Sequence, residues 1–225
     1  MKRSVLITGT SSGIGFSIAE DLLNKNCLVY GLCRRADQVF CERENYIPIV
    51  CDLTKRIEGI EDIEIDTLIC NAGVGLLGNL EQLSPRSIVD AISVNFSSHV
   101  LLVKKFLSKL KKRDRADIIF IGSEAAFAGK RGGSVYCATK FALRGFCQAI
   151  RDECGTSGVK VSIVHPSMVD TDFYKELSIS PKKNPSTALL AEDVSKVVAQ
   201  VLQSKDTVIF DEVVIKPKQY AIAKK

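Results

Sequence analysis

The stretch "SVLITGTSSGIG", residues 4–15, passes from an apolar, β-branched run into a turn with glycines at positions 9, 13 and 15. The helical pattern "FSIAEDLLNK" follows at once, so this segment predicts a strand, a tight turn and a helix. Glycine lets such a turn approach a pyrophosphate closely, and the N-terminus of the helix then faces the anion. A glycine-rich turn without a phosphate ligand is the alternative. The position of this turn between the first strand and a helix favours nucleotide binding.

Outward from this turn, short β-branched runs alternate with longer helical patterns. The runs are "SVLIT", "CLVYGLC", "YIPIVC", "DTLIC", "DIIFIG", "VKVSIVH" and "TVIFDEVVI". Strands that are apolar almost throughout are typical of parallel sheets covered by helices on both faces. We therefore predict a single α/β domain, residues 1–225, with a doubly wound, seven-stranded parallel sheet. One long helix is predicted from about Pro85 to Lys112, with apolar positions at Ile88, Ile92, Phe96, Val103, Phe106 and Leu110.

A break with prolines at positions 181 and 185 follows the sixth predicted strand. Proline interrupts helices, and ligands bind such sheets beyond the carboxyl ends of their strands. We therefore predict a short substrate lid at about residues 172–186.

Composition excludes several classes of protein. Hydrophobic residues make up 46% and charged residues 25%, as in globular proteins, and no apolar run reaches the roughly 18 residues of a membrane helix. The amino end turns into glycine and serine before a signal-peptide core could form, which favours the cytoplasm. The net charge of +5 is modest, and the basic stretches have no aromatic residues interleaved for base stacking. No nucleic-acid partner is therefore expected. The eight cysteines form no CxxC pair, so no metal site is expected either.

A second motif sets a hydroxyl, a phenol and an ammonium at fixed intervals. Tyr136 lies four residues before Lys140 and thirteen residues after Ser123 (136 − 123 = 13). In a helix the four-residue step places Tyr136 and Lys140 on one face. A phenol can donate a proton to a developing alkoxide, and a neighbouring cation would favour its ionisation. A structural tyrosine and a solvated lysine are the alternative for this pair taken alone.

Together the motifs resemble those of classical short-chain dehydrogenases and reductases over about residues 4–215. The spacing TGxxxGIG is the family's form of the glycine turn. The matching segments stand in the family's order and are "CDL" at 51–53, "NAGV" at 71–74, Asn95, Ser123, "YCATK" at 136–140 and "HPSMVDT" at 165–171. One departure is Ser167, which stands where the family often has glycine.

The resemblance implies a Rossmann-like fold and hydride transfer between NAD or NADP and a carbonyl or alcohol. It assigns the acid and base to Tyr136, the placing of the substrate oxygen to Ser123, ribose binding to Lys140, and a relay water to Asn95. The cofactor-binding residues implied are Gly9, Ser11, Ser12, Gly13, Ile14, Gly15, Asp52, Leu53, Asn71, Ala72, Gly73, Tyr136, Lys140, Pro166, Val169 and Thr171.

The end of the second strand predicts the choice of cofactor. NAD-binding sheets of this kind carry a carboxylate there, about 20 residues after the glycine turn. This chain has Cys33, Arg34 and Arg35 instead, and cations suit the 2′-phosphate of NADP. We therefore expect NADP, with a pair of solvated arginines as the alternative.

Several alternatives concern substrate and assembly. The chain could be a reductase of 3-oxoacyl thioesters or a non-catalytic NADP sensor, although it keeps the catalytic residues that a sensor usually loses. A small or medium carbonyl substrate is expected, and an anionic one would pair with Lys130, Arg131, Lys182 or Lys183. Small residues at helical spacing, Ala138, Ala142, Gly145 and Ala149, predict close helix approach in a homodimer or homotetramer.

Overall fold

The computed structural model describes residues 3–34, 40, 42–55, 57–60, 62–181 and 187–219, and the backbone of 222–224. The strands are β1 (Ser4–Thr8), β2 (Leu28–Cys33), β3 (Tyr46–Val50), β4 (Thr67–Cys70), β5 (Ala116–Ile121), β6 (Val159–Pro166), β7 (Ile179–Pro181), β8 (Glu212–Ile215) and β9 (Ile222–Lys224). The α-helices are α1 (Gly13–Asn24), α2 (Pro85–Ile92), α3 (Ser98–Leu110), α4 (Ser134–Glu153) and α5 (Ala191–Gln203).

The central sheet has seven strands in the order β3-β2-β1-β4-β5-β6-β8. Every neighbouring pair is parallel, from β3 with β2 at one edge to β6 with β8 at the other. This confirms the predicted doubly wound, seven-stranded parallel sheet. The order reverses between β1 and β4, so a crevice opens beyond their carboxyl ends.

Two apolar clusters cover the two faces of this sheet. On one face α3 and α4 pack through Phe106 and Leu143 against Phe120. On the other face α1 and α5 pack through Ile18 and Val198 against the sheet, and these side chains are almost fully buried. Burial on both faces explains why the strands are apolar throughout.

The predicted helix 85–112 is interrupted and ends earlier than expected. The chain runs as α2, then a π-helical turn at Ser93–Ser97, then α3, which ends at Leu110. The wider turn of a π-helix changes the angular position of the residues around it. Ile92, one of the apolar positions of this pattern, is 40% exposed.

The last strand of the sheet is also shorter than the predicted "TVIFDEVVI". Only Glu212–Ile215 pairs with β6. Just before this strand, the Asp211 carbonyl accepts from the Ile163 N–H of β6 at 3.2 Å and from Arg151 at 2.5 Å. Further back, the Lys160 side chain donates to the Val208 carbonyl at 3.4 Å.

Residues 179–181 form a small antiparallel pair with residues 222–224. Part of the predicted lid is thus tied to the segment near the carboxyl end. Lid residues 182–186 lie outside the described residues. Across the described part of the chain, no helix has the length and apolar character needed to cross a membrane.

Candidate active site

The glycine turn between β1 and α1 lies at the point where the strand order reverses. Gly9 and Gly13 have positive φ angles of 77° and 58°, which side chains disfavour. A Cβ on Gly15 would lie 2.1 Å from the Gly9 carbonyl oxygen, so only glycine fits there. No side chain caps the first turn of α1, and that turn carries no acidic residue. Its N–H groups can therefore receive an anion.

Thr8 joins this turn to the segment after β4. Its hydroxyl accepts hydrogen bonds from the backbone N–H groups of Asn71 and Ala72, both at 2.9 Å. The Asn71 side-chain amide in turn donates to the Thr8 carbonyl at 2.8 Å. The two loops that form the crevice floor are thereby fixed to each other.

The end of the crevice at β2 and β3 carries mixed charges. Arg34 directly follows β2 and is exposed, while Asp52 follows β3. Hydrogen bonds from the backbone and hydroxyl of Thr54 lower the pKa of Asp52, and the charges of Lys55 and Arg34 act in the same direction. Arg35 lies outside the described residues.

Ser123, Tyr136 and Lys140 meet at the other end of the crevice. Ser123 follows β5, and its hydroxyl accepts a hydrogen bond from the Ala125 N–H at 3.1 Å. The Ser123 side chain acts to lower the pKa of the Tyr136 phenol, and both side chains line the same crevice. The Lys140 ammonium lies 5.9 Å from the centre of the Tyr136 ring and donates to the Ile121 carbonyl at 3.0 Å. One helical turn of α4 thus presents the phenol and the ammonium together, as the spacing predicts.

Burial governs the titration of both groups. It raises the pKa of Tyr136 to about 12, although the Ser123 hydrogen bond acts in the opposite direction. Burial also lowers the pKa of Lys140 to about 8. The neutral phenol is therefore the form present at neutral pH, and it is the form that can donate a proton.

Asn95 lies behind the crevice, inside the π-helical turn, and is completely buried. Its side-chain oxygen accepts from the Val74 N–H at 2.7 Å, and its amide donates to the Val74 carbonyl at 2.9 Å. The amide also lies 3.3 Å from the Thr139 hydroxyl, next to Lys140 in sequence. Asn95 therefore joins the loop after β4 to α4, and its bonds do not run to its own helix.

The loop after β6 covers the middle of the crevice. Thr171 faces the glycine turn, because a Cβ on Gly13 would lie 3.4 Å from its side chain. The short 3-10 turn Asp172–Tyr174 follows and places the Phe173 ring 5.9 Å from the Tyr136 ring. Phe173 and Leu177 also face Gly75, where a Cβ would lie 2.6 Å from Leu177.

The crevice has a volume of about 520 Å³, within the usual range of ligand pockets. Most of the site residues predicted from the sequence line this crevice. They are Gly9, Ser11, Ser12, Gly13, Ile14, Arg34, Asp52, Leu53, Asn71, Ala72, Gly73, Ser123, Tyr136, Lys140, Pro166, Val169 and Thr171. Gly15 and Asn95 stand behind this lining and support it. Ser167 also lines the crevice, so a serine is accommodated at that position.

The cations expected to attract an anionic substrate are not equally available. Lys130 pairs with Glu124 at 3.2 Å, so its charge is largely balanced. Arg131 is exposed. Lys182 and Lys183 lie outside the described residues.

Sequence reasoning missed several supporting residues. The Tyr46 hydroxyl, from β3, lies 2.8 Å from the Thr10 hydroxyl and braces the glycine turn. His165, in β6, contacts the backbone of Ser123. These roles become visible only from the contacts of the two residues in the folded structure. The one weak signal in the sequence is Gly31, because the lack of a side chain there makes room for Tyr46.

The residues present fit a dinucleotide. The uncapped helix N-terminus and two glycines of positive φ suit a pyrophosphate, and the crevice extends from there to both Arg34 and Tyr136.

Comparison with known proteins agrees with this geometry. The family model described as "short chain dehydrogenase" matches residues 3–182. Human 17-beta-hydroxysteroid dehydrogenase type 1 is 31% identical over 198 residues, which cover 80% of this chain but only 60% of that protein. The NADP-dependent 3-hydroxy acid dehydrogenase of Schizosaccharomyces pombe is 29% identical over 96% of this chain and 92% of its own. The closed form of a serine dehydrogenase complexed with NADP+ has a TM-score of 0.84 and 25% identity, over 95% of this chain and 94% of that one.

Proposed function

This chain belongs to the short-chain dehydrogenase family, and from that premise we propose that it is an NADP-dependent oxidoreductase that interconverts a carbonyl and an alcohol. The proposal rests above all on the meeting of Ser123, Tyr136 and Lys140 at one end of a crevice built for a dinucleotide. A chain that only sensed the cofactor would have no use for this arrangement.

The residues suggest a division of tasks in carbonyl reduction. When bound, the cofactor supplies the hydride to the carbonyl carbon. Ser123 holds the carbonyl oxygen, and the neutral Tyr136 phenol donates the proton that this oxygen needs. Lys140 stabilises the phenolate that remains until a proton returns, and Asn95 fixes the loops around the ammonium. Reversing these steps oxidises an alcohol.

Testing the reaction class requires the purified protein, NADPH and a panel of keto acids, aldehydes, diketones and acyl thioesters. We expect NADPH oxidation with at least one carbonyl class. Binding of NADPH without oxidation across the whole panel would favour a sensor, and activity confined to thioesters would favour a 3-oxoacyl-thioester reductase.

Arg34 supports the preference for NADP, because its guanidinium can pair with a 2′-phosphate that NAD lacks. We expect Arg34→Ser to raise the KM for NADPH by roughly 10-fold or more and to leave the KM for NADH nearly unchanged. Arg43→Ser is the matched control, since Arg43 bonds Asn24 at the other end of α1. A wild-type enzyme that uses NADH tenfold better than NADPH would overturn the preference.

The described part of the lid supports a neutral substrate with an apolar group beside its carbonyl. Phe173 lies against Tyr136, and Tyr174 lies against Phe173 with 5.1 Å between ring centres. We expect Phe173→Ala to raise the KM for such a substrate while the NADPH dissociation constant stays the same. The contrary result is that the wild type reduces a keto acid much better than its neutral ester and that Arg131→Ala loses this preference. That result would support an anionic substrate instead.

A further inference from the structure

His165 lies directly beneath Ser123 and is completely buried. Its Nδ1 atom is 3.0 Å from the Ser123 carbonyl oxygen and 3.3 Å from the Ser123 backbone nitrogen. The fit is tight, because a Cβ on Gly122 would lie 2.5 Å from that same Nδ1 atom. The ring therefore touches both polar backbone groups of Ser123.

The opposite edge of the ring faces a carboxylate. Nε2 lies 3.9 Å from an oxygen of Glu212 and has no hydrogen-bond partner in the described part of the chain. Arg144 and Gln148 hold the Glu212 carboxylate in place at 2.9 Å and 2.8 Å. The Phe127 ring, 4.7 Å from the imidazole between ring centres, packs against the ring.

Neither neutral tautomer satisfies all of these contacts. With the proton on Nδ1 the ring donates to the Ser123 carbonyl, but the Nε2 lone pair then faces the Glu212 carboxylate. With the proton on Nε2 the Ser123 N–H gains an acceptor, but the Nδ1 lone pair faces the Ser123 carbonyl. The doubly protonated ring would donate to the Ser123 carbonyl and place its positive charge near the Glu212 carboxylate, but it would leave the Ser123 N–H without this acceptor.

We propose that His165 is a positioning residue for Ser123, and that protonation of its ring sets the acid limit of turnover. The inference rests on the proposed function, because Ser123 must first hold the substrate oxygen. In this proposal the neutral ring carries its proton on Nε2, toward the Glu212 carboxylate. Protonation at Nδ1 then removes the lone pair that accepts from the Ser123 N–H and adds a proton that the Ser123 carbonyl accepts. The Ser123 hydroxyl then moves out of line with Tyr136, and kcat falls. NADPH binding stays the same, because His165 does not line the crevice.

The charged groups that act on this ring come from two elements. Burial lowers the pKa of His165, and the Arg144 and Lys140 cations of α4 act in the same direction. The Ser123 carbonyl and the Glu212 carboxylate of β8 raise it. Because the pKa is lowered overall, the ring is neutral at neutral pH and gains its proton as the pH falls.

The test compares the pH dependence of kcat with the protonation of the ring itself. The chain has only two histidines, so NMR of the imidazole carbons can follow both. Burial lowers the pKa of the other, His99, to about 3, and the spectrum of His165→Asn, which retains only His99, assigns the two sets of resonances. We expect the acid limb of kcat in the wild type to coincide with the His165 titration, while the NADPH dissociation constant does not follow it.

Two variants on the Glu212 side of the ring should each shift the kcat profile and the histidine titration together. One variant should shift them to lower pH and the other to higher pH. Glu212→Gln removes the charge that raises the pKa of His165. The acid limb of the kcat profile and the His165 titration should therefore both shift by roughly one pH unit to lower pH. Arg144→Gln leaves Glu212 without its cation, so both should shift to higher pH. Glu64→Gln removes a carboxylate that pairs with Lys109 and Arg113 far from the ring, and it should move neither.

His165→Asn completes the set, because an amide can still bond the Ser123 backbone but does not titrate. We expect it to turn over at neutral pH and to lack the acid limb. An acid limb that persists in His165→Asn, or that stays fixed in Glu212→Gln while the histidine titration moves, would overturn the inference. A wild type that reduces no carbonyl at all would overturn the proposed function instead.

Discussion

At the scale of single residues, Asn95 shows how a buried amide can organise a site. It satisfies both backbone groups of Val74, which otherwise has no strand partner at this point. We expect Asn95→Ala to lower the free energy of unfolding by about 1–3 kcal/mol, because a buried N–H and C=O lose their partners. Turnover should fall as well, since the loop beside Lys140 loosens.

Asn79→Ala is the matched control for this substitution. Asn79 is exposed and makes no side-chain cap bond to the short turn that follows it. Urea unfolding of both variants should separate them clearly. Equal stability of the two variants would show that the Asn95 bonds contribute nothing measurable.

The spacing of Ser123, Tyr136 and Lys140 allowed the sequence to predict their meeting, because helix geometry alone places two of them on one face. The titration of Tyr136 could not be predicted in the same way. It depends on how deeply the phenol is buried, and the packing of Phe173 and of α4 decides that. His165 was missed for a similar reason, since β5 and β6 become neighbours only in the folded sheet.

At the scale of elements, the glycine turn is the feature that tolerates least change. We expect Gly15→Ala to raise the NADPH dissociation constant more than 10-fold, because the new methyl group would overlap the Gly9 carbonyl and displace the turn. Gly129→Ala adds the same methyl group where no atom lies within 4 Å and should bind NADPH like the wild type.

Binding measured by NADPH fluorescence or calorimetry checks this pair of variants. Wild-type affinity in Gly15→Ala would mean that the turn does not receive the pyrophosphate. Lost affinity in both variants would point to a general loss of structure, which thermal unfolding would reveal.

Element boundaries were predicted less well than the elements themselves. The apolar period of residues 85–112 continues through the π-helical turn, so nothing in the pattern marks the interruption at Asn95. Similarly, "TVIFDEVVI" is apolar enough for a longer strand, but the carbonyl of Val208, near its start, accepts from the Lys160 side chain. In both places tertiary hydrogen bonds override local preference.

At the scale of the whole molecule, the seven-stranded sheet was predictable because buried parallel strands are uniformly apolar. The solvent face of α4 carries a further expectation. Of the four small residues, Ala138, Gly145 and Ala149 are exposed and Ala142 is half-buried, so three of them do not pack on their own sheet. Phe141, on the same helix, is 43% exposed, and Leu101 on α3 is 54% exposed.

We therefore expect a homodimer or homotetramer that buries this face of α3 and α4. Phe141→Glu should weaken it, because burying a carboxylate there is costly. Val50→Glu is the control, since Val50 is 63% exposed at the opposite edge of the sheet. Light scattering should give a multiple of 24.6 kDa for the wild type and a smaller species for Phe141→Glu alone. A wild-type monomer of 24.6 kDa would remove this prediction.

The most direct test of the central claim replaces Tyr136 by phenylalanine, which removes the proton donor and keeps the ring. The measurement is NADPH binding and carbonyl reduction by wild type and Tyr136→Phe under the same conditions. We expect the variant to bind NADPH with wild-type affinity and to lose roughly 10²–10⁴-fold in kcat, the usual contribution of a general acid. Reduction at the wild-type rate by a Tyr136→Phe protein with intact NADPH binding would contradict the account.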